Sequence, residues 1–347
     1  MLTRALLELN PELEKTYSRL IESPTPAYRL HGLGEIFGHS NLYIKREDLT
    51  DSTYGGNKVR NLEFLLGDAL RKNATRVVTT APLGSNFVAA LAAQSKKSGL
   101  SAEIFHFVPH RNRQIAQHAE FSESQNTKLN ICEGRLYPSV VRAGVQMSLE
   151  LLKDPSTYRM PTGGSSPLGV LGHINAIFEL REQIERGDIP EPDFIVVGAG
   201  TCGTMAGLLA GILLSGMRTQ VFGVRCVDRI VCNRYNIENL ANRALKLLGS
   251  QNKIRARNIL LSDQGPIAYG RSREDAAEMQ DVMFESEEIV LDTTYTTKVV
   301  STLSRFLHRS EVGNKNVLYW HTFSDAAVRT QRSRSSLPFF LTSAAGS

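Results

Sequence analysis

Apolar residues recur along the 347-residue chain at two periods, and the two alternate. Over Lys58–Arg71 they fall at Leu62, Leu65, Leu66, Ala69 and Leu70, the three-and-four spacing of a helix with one buried face. Leu6, Leu9, Leu13 and Leu20 predict an amphipathic helix over residues 1–22, ended by Ser23-Pro24-Thr25-Pro26. Further helices are expected at 86–98, from Arg113, and at 138–152, 169–185, 204–216, 236–248, 272–285 and 298–308. Short β-branched runs between them predict strands at 42–45, 76–80, 102–108, Lys128–Cys132, 193–197, 220–226 and Val317–His321. Residues 28–38 read as a loop with a short helix, and 158–167 as a loop rich in breakers. No internal repeat is visible.

Strands alternating with helices predict an α/β fold with two open, twisted, mainly parallel sheets and flanking helices. One series lies near 50–155 and the other runs from 156 onward. The expected division is a larger domain, 1–49 plus 156–328, a smaller domain, 50–155, and a tail, 329–347. Ligands of such sheets bind beyond the carboxyl ends of the strands. Lys58, Ser85-Asn86, Gly163-Gly164, residues 198–204 and His321-Thr322 all fall in or beside loops of that kind.

Composition removes some function classes. The net charge is +5, but acids and bases are interspersed, with no basic stripe carrying aromatics. That argues against nucleic acid as a partner. Cys132, Cys202, Cys226 and Cys232 show neither zinc nor disulfide spacing, so a reducing, cytoplasmic setting is expected. Glu8 and Pro11 interrupt the N-terminus too early for a secretion signal. No uncharged apolar run reaches the roughly 18 residues of a membrane span.

Two stretches carry candidate chemistry. In Tyr54-Gly55-Gly56-Asn57-Lys58-Val59-Arg60 two glycines permit a tight turn, and a lysine follows at a helix start. The amides there disfavour its protonated form, which suits an amine nucleophile toward an aldehyde. Taken alone, the stretch reads as a glycine turn before a solvated lysine. Gly198-Ala199-Gly200-Thr201-Cys202-Gly203-Thr204 lies between an apolar strand and an apolar helix, an anion site with two hydroxyls. It lacks the Gly-Lys-[Ser/Thr] of a nucleotide loop, and no acidic residue closes the next strand as dinucleotide binding requires. A phosphate monoester fits it better, and so does simple helix packing. Lysine and phosphate loop together suggest pyridoxal 5′-phosphate (PLP).

From about Thr25 to Ser324 the chain resembles the PLP-dependent family of D-cysteine desulfhydrase and 1-aminocyclopropane-1-carboxylate (ACC) deaminase, of tryptophan-synthase β-like fold (fold type II). The resemblance rests on Thr25-Pro26, Tyr43 to Leu49, Gly55-Gly56-Asn57-Lys58-x-Arg60-x-Leu62-Glu63, Ser85-Asn86 and Gly163-Gly164-Ser165. Residues 198–204, Ala268-Tyr269-Gly270, Tyr295-x-x-Lys298 and His321-Thr322 follow in order. It implies PLP in a cleft between the domains, a homodimer and a small amino acid as substrate. Lys58 is then the lysine that links to PLP and later takes a Cα proton, with Asn57 orienting it. Asn86 would contact the phenolic oxygen and Ser85 the substrate. Gly200, Thr201, Cys202, Gly203 and Thr204 would hold the phosphate, and Thr322 would neighbour the pyridine nitrogen. Tyr269 and Tyr295 are similar to the family's active-site tyrosines. The implied reaction is β-elimination or deamination to a 2-oxo acid and ammonia.

Several positions depart from the family. Its Gly-Ile-Gln-Ser-Asn-His reads Pro82-Leu83-Gly84-Ser85-Asn86-Phe87, and its His-Thr-Gly-Gly reads His321-Thr322-Phe323-Ser324. Thr296 stands where ACC deaminases carry a glutamate, as in the desulfhydrase branch, and Thr297 replaces a glycine. Gly84, Phe87 and Phe323 are expected to cluster in the substrate pocket and to change the substrate. β-Replacement with a second nucleophile, or a PLP-binding protein without turnover, are the other readings. His106, His110 and His118 are expected to be solvated or capping rather than metal ligands, and Cys202 to be a small packing residue. The tail is expected to be loose and basic, or to dock on a partner subunit.

Overall fold

A computed structural model of the chain describes residues 1–108, 113–262 and 276–327. Proline sets the first departure from the sequence pattern. Helix α1 (Arg4–Leu9) stops before Asn10-Pro11, and a separate 3-10 turn, Pro11–Thr16, follows. Pro11 has no N–H to continue the ladder, and the Asn10 side chain accepts from Glu12 N at 3.1 Å to start the new turn. The single helix expected over 1–22 is therefore two short pieces.

The chain continues through β1 (Ala27–Arg29), α2 (His31–Ile36), β2 (Leu42–Arg46), α3 (Lys58–Arg71), β3 (Arg76–Pro82), α4 (Asn86–Lys97), β4 (Ser101–Phe107) and α5 (Arg113–Ser124). Then come β5 (Lys128–Cys132), α6 (Leu136–Lys153), β6 (Thr157–Arg159), α7 (Pro167–Glu185), β7 (Phe194–Ala199), α8 (Gly203–Ser215) and β8 (Gln220–Arg225). Last are α9 (Arg234–Leu247), β9 (Leu260–Ser262), α10 (Ala276–Glu287), α11 (Thr296–Leu307) and β10 (Val317–His321).

These strands form two sheets, β1-β2-β10-β7-β8-β9 and β5-β4-β3-β6. Every neighbouring pair is parallel except β1 with β2. The fold is thus α/β with two mainly parallel sheets, as the alternation predicts. β6 corrects the loop expected at 158–167: Thr157 to Arg159 pair with Arg76 to Val78, so the four-stranded sheet runs past residue 155. Three residues are too few to show a period, and only the pairing defines such a strand.

Four apolar clusters among the described residues hold the sheets. Ile174 and Ile177 of α7 and Met205 and Leu208 of α8 cover Ile195, Val197 and Trp320 on one face of the larger sheet. On the other face Phe306 of α11 sits against Phe194 and Phe222, with ring centroids 5.3 and 4.5 Å away. Leu62, Leu65 and Leu66 of α3 meet Ala89 and Ala90 of α4 and Val77 of β3. Each buried Val, Leu, Ile, Met or Phe side chain among them contributes about 1.5–3 kcal/mol. Among the described residues no helix is long and apolar enough to cross a membrane.

Candidate active site

The loop between β2 and α3 needs both its glycines. A Cβ on Gly55 would lie 1.9 Å from the Asp48 carbonyl oxygen. Gly56 has φ +98° and would bring a Cβ to 3.1 Å from the Thr322 carbonyl oxygen. Gly56 N donates to Glu47 O at 2.9 Å and Asn57 N to Thr322 O at 3.3 Å, so the loop lies on the end of β10. Lys58 then opens α3. Asn57 does not cap that helix with its side chain; its Nδ2 crosses to Thr204 Oγ1 at 2.7 Å. Behind it His173 Nε2 lies 3.0 Å from Asn61 Oδ1 and 3.3 Å from Thr204 Oγ1. Asn61 Nδ2 donates to the Gly164 and Gly169 carbonyls. Burial first, then Lys58 and Arg60, keep His173 neutral.

Below Lys58 the first turn of α3 rests on buried charges. Arg60 pairs with Glu47 at 2.8 Å and Glu179 at 2.7 Å, and Lys45 pairs with Glu179 at 2.6 Å. Lys45 Nζ also donates to Gln183 Oε1 and Thr25 O, at 2.6 and 2.7 Å. Every polar arm of this cluster has a partner, which makes so much buried charge tolerable. Lys45, Glu47 and Arg60 stood in stretches that carry the resemblance, but nothing in the sequence announced their pairing with Glu179, because isolated lysines and glutamates read as solvated.

On the opposite wall β7 ends in the 198–204 loop and α8 begins. Cys202 takes the left-handed conformation, φ +70°, immediately before Gly203. That is uncommon for a residue with a Cβ and costs about 1 kcal/mol or more. Its Sγ donates to Val231 O at 3.5 Å, and the Cys232 thiol beside it lowers the Cys202 pKa. Cys202 is therefore engaged with the 226–232 segment and is more than a space-filler. Thr201 Oγ1 lies 2.6 Å from Ser165 Oγ.

Loop and lysine face one cavity of about 460 Å3 between the two sheets. Asn57, Lys58, Ser85, Asn86, Gly200, Thr201, Cys202, Gly203, Thr204, Tyr295 and Thr322 all line it. Tyr269 lies outside the described residues. Burial pushes the Lys58 amine down to about 8, against an opposing pull from the nearby Cys202 thiol. Ser85 opens α4 without a side-chain capping bond, so its hydroxyl is not spent on the helix.

Two expectations for the pocket change. Phe87 does line the cavity, but Gly84 and Phe323 do not. Gly84 has φ +75°, and a Cβ there would lie 2.6 Å from Ile115 Cα, so helix α5 is what excludes a larger residue. Phe323 is buried against His118, with ring centroids 6.0 Å apart. Thr296 does not line the cavity either: its Oγ1 donates to Asp292 Oδ1 at 2.6 Å at the start of α11. His106 and His118 are buried rather than solvated, with His106 Nδ1 3.1 Å from Ala81 O, while His110 lies outside the described residues. Asn61, Ser165 and His173 support the site, and Phe107, Leu136, Val227 and Val231 extend its apolar wall. Ser165 stood inside a motif already singled out; the others carry no local signal.

This donor set fits pyridoxal phosphate. An amine of lowered pKa stands across from a helix N-terminus with two threonine hydroxyls, the arrangement an aldehyde and a phosphate monoester require. A neutral hydroxyl, Thr322, completes the rim.

Comparison with known proteins agrees. Residues 19–322 match the family described as pyridoxal-phosphate dependent enzyme. The "Putative 1-aminocyclopropane-1-carboxylate deaminase" of Pyrococcus horikoshii is 32% identical over 323 residues, 92% of this chain and 93% of that one. The D-cysteine desulfhydrase of Klebsiella pneumoniae is 30% identical over 313 residues, 87% of this chain and 92% of that one. A solved structure described as an ACC deaminase homologue superposes with a TM-score of 0.81 at 27% identity, covering 96% of this chain and 100% of its own. With the matched region running from before the lysine loop to the end of β10, the chain belongs to the family of pyridoxal-phosphate dependent enzymes.

Proposed function

We propose that this enzyme is a lyase that takes the Cα proton from a small amino acid, expels a group from Cβ, and releases a 2-oxo acid and ammonia. Its substrate would differ from those of the relatives. When bound, PLP supplies the electron sink that makes the Cα proton removable. Lys58 takes that proton: with its pKa at about 8, roughly a tenth of the amine is neutral at pH 7. The Cβ leaving group departs with its bonding electrons, and water supplies the oxygen of the 2-oxo acid as ammonia leaves. Thr201, Thr204 and the first amides of α8 would hold the phosphate, Asn86 would meet the phenolic oxygen, and Thr322 would offer the ring nitrogen a neutral hydroxyl. Ser85, at the N-terminus of α4, would orient the substrate carboxylate. Tyr295 and Tyr269 would complete the substrate side. Phe87 cannot move a proton, and its apolar wall is the reason to expect an altered substrate.

One observation carries the reading. Lys58 is the single lysine among the described residues lining a cavity that also receives the N-terminus of α8. The sheet memberships also support a smaller domain inserted in a larger one, with its second boundary moved beyond Arg159. A cytoplasmic homodimer is part of the proposal, and sedimentation at micromolar concentration tests the dimer. For the chemistry, purified wild type and Lys58→Ala are compared over D- and L-amino acids. Wild type should show the visible absorbance of lysine-linked cofactor and release keto acid. The variant should lose the band, and turnover should fall about 10²–10⁴-fold. A band that survives in Lys58→Ala removes the lysine from its role. Turnover that requires an added thiol or amine, captured in the product, replaces the lyase reading with β-replacement.

A further inference from the structure

Helix α7 is pressed between α3 and α8. A Cβ on Gly172 would lie 1.9 Å from the Arg60 carbonyl oxygen, and one on Gly207 would lie 2.4 Å from His173 Cβ. Only glycine lets the backbones approach so closely. His173, next to Gly172, is therefore buried between the helix that opens with Lys58 and the helix that begins at the 198–204 loop.

The hydrogens at this junction follow from their partners. Asn61 Nδ2 donates to the Gly164 and Gly169 carbonyls at 3.3 and 3.1 Å, which turns Asn61 Oδ1 toward His173. An amide oxygen only accepts, so His173 Nε2, 3.0 Å away, carries a hydrogen. Burial first, then the Lys58 and Arg60 charges, hold the imidazole neutral, and a neutral ring has one N–H. Nδ1 is then bare, and it has no hydrogen-bond partner among the described residues. Thr204 Oγ1 lies 3.3 Å from the same Nε2 and accepts from Asn57 Nδ2 at 2.7 Å. Both neighbours are N–H groups. Neither can take the Thr204 hydroxyl hydrogen, which is left for the cavity that Thr204 lines.

We propose that His173 is a positioning residue for the cofactor: by presenting Nε2–H it keeps the Thr204 hydroxyl a donor aimed at the phosphate. This rests on the reading that Thr204 meets that phosphate. The opposite tautomer, or an acceptor in the place of Nε2, would draw the hydroxyl hydrogen away from the cavity. A hydroxyl that donates to a phosphate oxygen makes a charge-assisted bond, about twice as strong as a neutral one, so its direction matters to affinity.

The test measures binding to the full-length apoprotein of two ligands, PLP and pyridoxal, which has the aldehyde and lacks the phosphate. His173→Phe removes the N–H, and His173→Gln offers an amide N–H near the same place. His173→Phe should weaken PLP at least about ten-fold and leave pyridoxal unchanged, and His173→Gln should keep most of the PLP affinity. Thr204→Val should weaken PLP as much, and His173→Phe/Thr204→Val should bind no more weakly than Thr204→Val alone. Nitrogen NMR of the wild-type histidines, with His173 assigned by its loss in His173→Gln, should show Nε2 protonated and Nδ1 bare. That spectrum decides even where His173→Phe does not fold. The opposite tautomer, PLP affinity unchanged in His173→Phe, a loss shared by pyridoxal, a loss that glutamine does not restore, or additive losses in the double variant each overturn the proposal. PLP affinity unchanged in Thr204→Val removes the phosphate reading itself, and the proposal falls with it.

Discussion

Burial sets the charge of Lys58, and in the role proposed for this lysine that charge would set when the site can be loaded. In the unfolded chain the amine holds its proton up to its ordinary 10.5, and in the folded chain only up to about 8. Between those values the unfolded chain binds more protons, so this residue makes stability rise with pH across that window. Below about 8 the amine is increasingly protonated and loses its nucleophilic pair. The rate at which apoprotein captures PLP should therefore climb with a midpoint near pH 8, and stopped-flow absorbance reads it. A midpoint near 10.5 would mean a solvated lysine. Gly84 gives a second residue-scale prediction. Gly84→Gln restores the family's residue, yet it puts a Cβ at φ +75° and 2.6 Å from Ile115 Cα. It should cost about 2–4 kcal/mol, seen as a lower urea midpoint, without changing substrate preference. Phe87→His, at the cavity wall, should instead shift kcat/KM between substrates. The sequence disclosed Lys58 and the 198–204 loop because their chemistry sits in contiguous residues. It misplaced Gly84 and Phe323 because what surrounds them, Ile115 and His118, comes from a helix that no local pattern connects to them.

Helix α3 was legible from end to end, since its apolar stripe and its glycine start both lie within the segment. The strands β1, β6 and β9 were not, being three residues each and defined by their neighbours. Least legible was what holds the start of α3. Lys45, Glu47, Arg60 and Glu179 come from β2, the turn after it, α3 and α7, and each alone reads as a surface charge. Burial by itself would raise Glu179; Arg60 and Lys45 outweigh it and hold the carboxyl far below the usual range. Its stabilisation is present above the unfolded carboxylate pKa and is lost only as pH falls through the depressed folded value, so the cluster should survive mild acid. Glu179→Gln leaves Lys45 and Arg60 sharing one carboxylate. It should cost about 3–5 kcal/mol at pH 7, and the deficit in urea midpoint should shrink toward acid pH. A deficit below 1 kcal/mol would make the cluster incidental to the helix.

Across the whole molecule the order of the larger sheet matters most. The last described strand, β10, enters between β2 and β7, and so delivers Thr322 to the cavity wall. Alternating periods forecast parallel sheets, but strand order depends on which apolar faces meet, and no single segment records that. The consequence is that PLP would bridge the two sheets: Lys58 enters with the lysine loop and α3, and Thr201 and Thr204 with β7 and α8. Asn57 already links the two sides directly, through Nδ2 to Thr204 Oγ1 at 2.7 Å and N to Thr322 O at 3.3 Å. Ligand at a hundred times its Kd stabilises the folded state by about 2.7 kcal/mol. For a chain of this length that corresponds to a rise of roughly 4 °C in melting temperature. Wild type titrated with PLP should show at least that rise, with limited proteolysis slowed in segments of both sheets. Lys58→Ala should keep a smaller rise from the phosphate alone, and Thr201→Val/Thr204→Val should lose most of it while retaining the lysine. If PLP leaves the melting temperature of wild type unchanged, the cofactor does not brace the sheets. If the double valine variant gains as much as wild type, the phosphate lies away from the N-terminus of α8.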